Sequence, residues 1–135
     1  MSLASPMGFN TQSVREARSQ DLFAVIELNA AWVDVTSPLS HKELDRLVPQ
    51  SALFRVAEID GVVAAFLLAF GPGADYDSVN YRWFDERYEL FLYIDRVVVG
   101  SDFQRTGLGD ALYADAIAFA RDHDAARARL LPVLA

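Results

Sequence analysis

The pattern with the clearest chemical potential is the loop Gln104–Gly109, which lies between a β-branched segment and an amphipathic segment. The amphipathic segment, from Asp110 onward, repeats apolar residues at helical spacing. A glycine-rich turn that opens a helix presents unpaired backbone N–H groups and the positive end of the helix dipole. Gly107 and Gly109 would let a ligand approach the backbone closely. The loop therefore predicts a site for a phosphate or pyrophosphate.

Two common nucleotide-binding motifs do not fit this loop. The dinucleotide fingerprint requires a glycine three residues after Gly109, where the chain has Leu112. The P-loop requires a Gly-Lys pair, and the chain contains none. A turn between strand and helix that binds no ligand is the alternative, but it does not explain why the glycines, the Gln-Arg start, the strand and the helix occur together.

The sequence Gln-x-x-Gly-x-Gly after the valine-rich segment Ile94–Val99 resembles the acetyl-coenzyme A motif of the GNAT N-acetyltransferase superfamily. The resemblance is closest over residues 89–123 and rests upstream on the order of elements. It implies an α/β (α+β) fold, with a mixed, mostly antiparallel sheet flanked by helices in the order β-α-α-β-β-β-α. It also implies transfer of an acetyl group from acetyl-coenzyme A to a primary amine of a small molecule, an amino acid or a peptide.

In that family the pantetheine arm pairs with the backbone of the fourth strand, and the pyrophosphate sits on backbone amides of the loop. The residues to which the resemblance gives these contacts are Val97, Val98 and Val99 on the strand, and Gln104, Arg105, Thr106, Gly107, Leu108, Gly109 and Asp110 in the loop. Asp110 is a departure, because its carboxylate suits the helix dipole but would repel a nearby pyrophosphate. Arg105 could offset this repulsion if its side chain reaches the phosphates.

Three strands and two helices are predicted upstream to position these segments. The strands are residues 13–17, 53–59 and 62–70, and the helices run from residue 19 to about 32 and from residue 40 to 49. Ser40 and Glu43 form a capping box for the second helix. Asp60-Gly61 is a strong signal for a hairpin between the second and third strands.

Acyl transfer to an amine needs a group that removes the amine proton. Side chains that alternate along the fourth strand are expected on one face: Glu89, Tyr93, Asp95 and Val97. Many members of the family carry a glutamate where this chain has Tyr93, so Asp95 is the first candidate for the base or for positioning a water, and Glu89 is the second. The alternative for Asp95 is an ion pair with Arg96 or Arg55, because a charge in an apolar strand needs a partner or a wet cavity.

The connection from Gly71 to about Tyr88 is too long for a plain turn, and it combines acidic with aromatic side chains. Such a combination suits a cationic amine through charge attraction and cation–π contact. The candidate substrate-binding residues are Tyr76, Trp83, Phe84 and Glu86. The alternative is a surface excursion whose rings pack on the domain's own core.

Residues 130–134 could form a fifth strand, in which Pro132 is best placed at an edge or a bulge. Members of the resembled family usually continue with further elements, including a helix whose tyrosine protonates the leaving thiolate, whereas here no tyrosine follows Tyr113. The resemblance thus implies a truncated or frameshifted product, or a compact variant completed by a partner. We predict a homodimer through the C-terminal half, because an open sheet edge recruits other chains. A coenzyme A-binding or regulatory module without turnover is the alternative function.

Composition restricts the classes further. A chain of 135 residues with 53% hydrophobic residues predicts one domain over residues 1–135, with residues 1–10 as a flexible N-terminus. A net charge of −7 argues against nucleic-acid binding and mildly favours a cationic substrate. The chain has no cysteine and only two distant histidines, so no metal site is expected. The longest apolar run, Val62–Phe70, is too short for a membrane helix, and we predict a cytoplasmic protein.

Overall fold

The computed structural model describes residues 12–32, 36, 38–122 and 130–132. The strands in this part of the chain are β1 (Gln12–Glu16), β2 (Leu53–Ile59), β3 (Val62–Phe70), β4 (Leu92–Val99) and β5 (Leu130–Pro132). The helices are α1 (Leu22–Ala30), α2 (His41–Leu47), α3 (Val79–Arg87) and α4 (Leu108–Asp122). The strands form one sheet in chain order, antiparallel except for β5, which runs parallel to β4. The predicted mixed, mostly antiparallel sheet is confirmed.

The sheet is covered on both faces, which explains the long apolar run of β3. All seven residues from Ala64 to Phe70 are buried. Alternate β3 side chains pack with α1, α2 and α3 on one face and with α4 on the other. A strand buried on both faces is continuously apolar rather than alternating.

Local sequence signals determine the turns. Asp60 and Gly61 have φ angles of +52° and +83°, as a two-residue type I′ hairpin turn requires. The Ser40 hydroxyl accepts a hydrogen bond of 3.0 Å from the Glu43 N–H, so the predicted capping box begins α2. The first helix begins at Leu22 rather than at Ser19, because residues 19–21 form a tighter 3₁₀ turn.

The connection from Gly71 to Tyr88 contains the helix α3, which the sequence did not predict. Three of its first six residues are aromatic and one is β-branched, and such residues have low helix propensity. Its buried Tyr81 donates a hydrogen bond of 2.5 Å to the Gly71 carbonyl and accepts one of 2.8 Å from the Ala74 N–H. Tertiary contacts therefore stabilise this helix and hold the preceding loop.

A bulge in β4 changes which side chains share a face. Ile94 lies opposite Ala69 and Arg96 lies opposite Leu68, so the extra residue between them is Asp95. Tyr93 therefore packs on the α1–α3 face, whereas Val97 packs on the α4 face. The predicted grouping of Glu89, Tyr93, Asp95 and Val97 on one face is wrong, and Glu89 lies before β4 with its side chain exposed.

The fifth strand forms and pairs with Leu92–Ile94 of β4, with Pro132 at the edge of the sheet. The open sheet edge on which the homodimer prediction rests is therefore covered along Leu92–Ile94, whereas no strand of the described residues pairs with 95–99 on that side. His123 and residues 133–135 lie outside the described residues. The homodimer stays a prediction. None of the described helices has the length and apolar character needed to cross a membrane.

We expect Asp21→Asn to destabilise the fold, by about 1–3 kcal/mol for a buried charge-assisted hydrogen bond. Arg15 donates to Asp21 at 2.8 and 2.9 Å, and this bond holds the pKa of Asp21 below its usual value. A lowered folded-state pKa adds stability that is complete above the unfolded pKa and is lost as the pH falls through the folded pKa. Urea unfolding at several pH values measures the free energy of unfolding. Wild type and variant should differ in this free energy at neutral pH, and the difference should disappear in acid. The matched control is Asp45→Asn, which removes an exposed pair with His41 and should have little effect.

Candidate active site

A groove runs along the second half of β4, beyond the part that β5 covers. It encloses about 290 Å³ and is lined by Trp32, Gln104 and the three valines Val97–Val99. These valines are the strand residues predicted to contact the pantetheine arm.

The backbone of β4 presents hydrogen-bonding groups to this groove. The Gly100 N–H donates to the Ala64 carbonyl on β3 at 2.8 Å. Because hydrogen-bonded pairs alternate along an antiparallel ladder, Val98 also bonds toward β3, while Val97 and Val99 direct their N–H and C=O groups away from it. The described part of β5 reaches only Leu92–Ile94, and both valines line the groove, so the Val97 N–H and C=O and the Val99 N–H are directed toward it. An extended ligand with amide groups could pair with them as a further strand would.

The end of β4 is fixed to the loop that follows. The Val99 carbonyl accepts hydrogen bonds from Trp32 Nε1 at 3.0 Å and from Gln104 Nε2 at 2.8 Å. Gln104, the first residue of the motif, thus anchors the loop through its side-chain amide and also forms part of the groove wall.

The glycine loop has the backbone geometry that an anion site requires. Gly107 has φ +87°, and a Cβ built there meets no atom of the chain within 4 Å, so the space in front of it is open. The Ala111 N–H donates to the Gly107 carbonyl at 3.0 Å, which makes this the first bond of α4. The N–H groups of Leu108, Gly109 and Asp110 therefore precede the first intrahelical donor. Helix α4 begins at Leu108, two residues before the predicted start.

Charges around the loop have both signs. Arg105 is exposed and has φ +65°, an uncommon conformation for a residue other than glycine. Asp110 is also exposed, in the first turn of α4. Arg105 and Asp110 are thus both exposed near the start of α4, and their proximity to a pyrophosphate stays a prediction.

The bulge residue Asp95 is the centre of a buried polar network. Its Oδ1 accepts a hydrogen bond of 2.5 Å from the Tyr76 hydroxyl, and its Oδ2 accepts one of 2.7 Å from Arg96 Nε. Arg96 also donates from a terminal nitrogen to the side-chain oxygen of Asn29 at 3.0 Å. Asp95 and Arg96 are 7% and 4% exposed, so both charges are nearly removed from water and each needs the other. Arg55, the other proposed partner of Asp95, pairs with Asp115 at 2.8 Å instead.

Two tyrosines beside Asp95 remain protonated. Burial raises the pKa of Tyr76, and the negative charge of Asp95 raises it further. Burial, followed by the charge of Asp95, also raises the pKa of Tyr93. Both side chains therefore present phenols rather than phenolates at neutral pH.

A second cavity, about 260 Å³ in volume, adjoins this network. Its lining is mostly polar: Glu43, Arg46, Tyr76, Asp77, Ser78 and Arg96, with the apolar residues Pro38, Leu39 and Leu47. The linings of the two cavities share no residue, but they include the consecutive β4 residues Arg96 and Val97. The polar cavity can hold a polar molecule, and the groove can hold an extended one.

The predicted substrate residues do not form one site: Trp83, Phe84 and Glu86 lie on α3, with the Trp83 and Phe84 ring centroids 4.6 Å apart, whereas Tyr76 lies elsewhere. Tyr76 lines the polar cavity, where its ring stacks on Phe70 with centroids 4.3 Å apart. Trp83 and Glu86 line a separate surface groove on α3, and the Arg87 guanidinium lies 4.1 Å from the Trp83 ring centre. Phe84 is half-buried and packs against Tyr88 and Tyr93. One face of the Trp83 ring is thus already in contact with a cation of the chain.

The sequence interpretation missed Asn29 as part of the site. It lies at a helical position shared with Leu22, Val25 and Ile26, and it is fully buried. A polar residue on the buried face of a helix needs a hydrogen-bond partner. The position of Asn29 among apolar residues of the helix could have indicated a buried hydrogen bond from the sequence, but only the fold identifies Arg96 as a partner.

The chain matches the family model for the acetyltransferase (GNAT) family over residues 12–134. A comparison with curated protein sequences finds no match. Within the described residues, no group of three or more His, Asp or Glu side chains could hold a metal ion.

Three solved structures illustrate the similarity in fold. A ribosomal-protein-alanine N-acetyltransferase from Brucella melitensis has a TM-score of 0.64 at 16% identity, over 92% of this chain and 79% of its own. A GNAT acetyltransferase from the same organism, solved with acetyl-CoA, has a TM-score of 0.60 at 24% identity, over 92% and 77%. An N-acetylglutamate synthase from Neisseria gonorrhoeae, solved with coenzyme A and N-acetyl-glutamate, has a TM-score of 0.61 at 19% identity. That match covers 83% of this chain but only 23% of the synthase.

Proposed function

The chain belongs to the acetyltransferase (GNAT) family, and we propose that it transfers the acetyl group of acetyl-CoA to a primary amine. The observation that carries this proposal is that β4 contributes to two cavities, a groove lined by Val97–Val99 and a polar cavity lined in part by Arg96, the residue before Val97. An acyl donor in the first and an amine in the second would meet at the bulge, and holding two reactants in contact is itself a large part of catalysis.

Several features of the donor side fit acetyl-CoA. The groove-facing backbone groups of Val97 and Val99 suit the amides of a pantetheine arm. The open space in front of Gly107 and the first-turn N–H groups of α4 suit a pyrophosphate. The exposed side chain of Arg105 can add positive charge near the phosphates, which Asp110 would otherwise repel.

On the acceptor side we propose Asp95 as the final proton acceptor. Its carboxylate accepts a hydrogen bond from Tyr76, which lines the polar cavity together with Glu43 and Asp77, and Arg96 and Asn29 fix its position. Glu89 is exposed before β4 and is the weaker candidate. Since the sequence leaves the amine open, we propose a small molecule, an amino acid or a peptide as substrate, together with a cytoplasmic location and a homodimer.

The direct test is to incubate the protein with acetyl-CoA and a panel of amines and to measure the release of free thiol. L-glutamate, a peptide with N-terminal alanine, a polyamine and an aminoglycoside would sample the main classes of amine. We expect thiol release above the rate without enzyme for at least one of them. Calorimetry with acetyl-CoA alone is the control for the donor side, and failure to bind it would contradict the proposal.

A coenzyme A-binding module without turnover is the second candidate. One observation favours it: both carboxylate oxygens of Asp95 already accept hydrogen bonds within the chain. A protein that binds acetyl-CoA but acetylates no amine of the panel would support this alternative.

A further inference from the structure

We infer that Tyr76 passes the proton of the amine to Asp95, so that the base is the Tyr76–Asp95 pair rather than Asp95 alone. The inference rests on the proposed acetyl transfer and assigns Tyr76 a catalytic role in addition to substrate contact.

The first reason is accessibility. Asp95 is 7% exposed and does not line the polar cavity, whereas Tyr76 does. Arg96 occupies one oxygen of Asp95 and the Tyr76 hydroxyl occupies the other. An amine in the cavity therefore meets the phenol oxygen of Tyr76 before it meets the carboxylate.

The second reason is the geometry of the Tyr76 hydroxyl. The hydroxyl donates its proton to Asp95 Oδ1 at 2.5 Å, and its oxygen accepts a hydrogen bond from Arg96. A hydroxyl oxygen has two lone pairs, so one is left to accept a hydrogen bond from an ammonium group. A group that donates on one side and accepts on the other can transfer a proton without changing its own charge. Burial and the charge of Asp95 raise the pKa of Tyr76, so the phenol does not ionise at neutral pH and acts only as a carrier.

The third reason is that the pair is held rigidly. The Tyr76 ring stacks on Phe70 and lies 5.7 Å from the ring of Tyr81, measured between centroids. Tyr81 in turn holds the loop before Tyr76 through Gly71 and Ala74. The donor and the acceptor of the proton are thus fixed before any substrate binds.

The step balances as follows. The ammonium group gives one proton to the Tyr76 oxygen, while the Tyr76 hydroxyl gives its own proton to Asp95 Oδ1. The neutral amine then forms the C–N bond to the thioester carbonyl carbon, and the C–S electron pair leaves with the sulfur. The second proton lost by the nitrogen goes to this thiolate. The products are the amide and coenzyme A thiol, and Asp95 returns its proton to water through Tyr76.

The test compares two small nucleophiles: methylamine, which is protonated at neutral pH, and hydroxylamine, which is neutral. For Tyr76→Phe, we expect kcat/KM to fall by about 10²-fold with methylamine and by less than about tenfold with hydroxylamine, because only the protonated amine needs the relay. Rates are corrected for the reaction of each nucleophile with acetyl-CoA in the absence of enzyme, and folding is checked by circular dichroism.

Tyr81→Phe is the matched control. It removes a phenol that holds the same loop but does not contact Asp95, so it should lower both rates by a similar factor. Equal losses with the two nucleophiles for Tyr76→Phe, or no loss, would overturn the inference and leave Tyr76 a structural residue.

A measurement on the wild-type protein covers the case in which Tyr76→Phe does not fold. The methylamine rate is measured in mixtures of H2O and D2O and plotted against the deuterium fraction of the solvent. If two protons move together, this plot should be curved, whereas a straight plot would overturn the relay. A wild-type chain that binds acetyl-CoA but acetylates neither these nucleophiles nor any amine of the panel would overturn the proposed function, and this inference with it. Activity with equal losses would overturn this inference alone.

Discussion

Replacing Asp95 with asparagine is expected to lower kcat by about 10²–10⁴ while acetyl-CoA affinity stays near the wild-type value. The carboxylate is the proposed final acceptor of the amine proton, and the amide that replaces it cannot take up that proton. The donor groove is lined by other residues, so binding of the acetyl donor should be little affected. The loss should shrink at high pH, where more of the amine is already neutral. Steady-state kinetics over a range of pH, with calorimetry for acetyl-CoA, measure both quantities.

Stability must be measured in the same variant, because Asp95 neutralises the buried guanidinium of Arg96. Removing one partner of a buried ion pair typically costs about 3–5 kcal/mol. Asp115→Asn is a suitable control. Asp115 lies on α4 and pairs with Arg55 of β2, and neither residue lines either cavity. A folded Asp95→Asn protein with full turnover would contradict the catalytic role. A variant that only unfolds would support the ion-pair role instead.

The features that were predictable from the sequence are those with a local physical cause. The hairpin at Asp60-Gly61 and the capping box at Ser40 each depend on residues next to one another in the chain. The strand–loop–helix unit around Gln104–Gly109 is also local, and in the structure a groove lies along its strand.

The distribution of β4 side chains between the two faces of the sheet could not be predicted, because it depends on a bulge. Strict alternation would put Tyr93, Asp95 and Val97 on one face, but the extra residue at Asp95 moves Val97 to the α4 face. The bulge is a property of pairing with β3, and no residue pattern within β4 specifies it.

The Tyr76–Asp95 hydrogen bond joins residues 19 positions apart in the sequence. The hydrogen bond from Arg96 to Asn29 joins residues 67 positions apart. The sequence identified Tyr76 and Asp95 separately, one as a substrate contact and the other as a base. Only the packing of the loop after β3 against β4 brings them together. Long-range contacts of this kind are therefore the part of the site that sequence reasoning cannot supply.

Gly107→Val is expected to lower acetyl-CoA affinity at least about tenfold, or about 1.4 kcal/mol. Gly107 has φ +87°, and the space where its Cβ would lie is empty, so a valine side chain would occupy the proposed pyrophosphate position. The branched side chain also strains a left-handed backbone, which would disturb the first turn of α4. Calorimetry gives the affinity, and circular dichroism shows whether the fold is intact.

Gly61→Val separates these two causes. Gly61 has φ +83° and also has open space at its Cβ, but it lies in the β2–β3 hairpin turn, outside both cavities. It should therefore suffer similar backbone strain without losing affinity for acetyl-CoA. If the two variants bind acetyl-CoA equally well while both are folded, the phosphate site is not at this loop. A loss of acetyl-CoA affinity in Gly107→Val alone would support the loop as the site, because Gly61→Val introduces similar backbone strain.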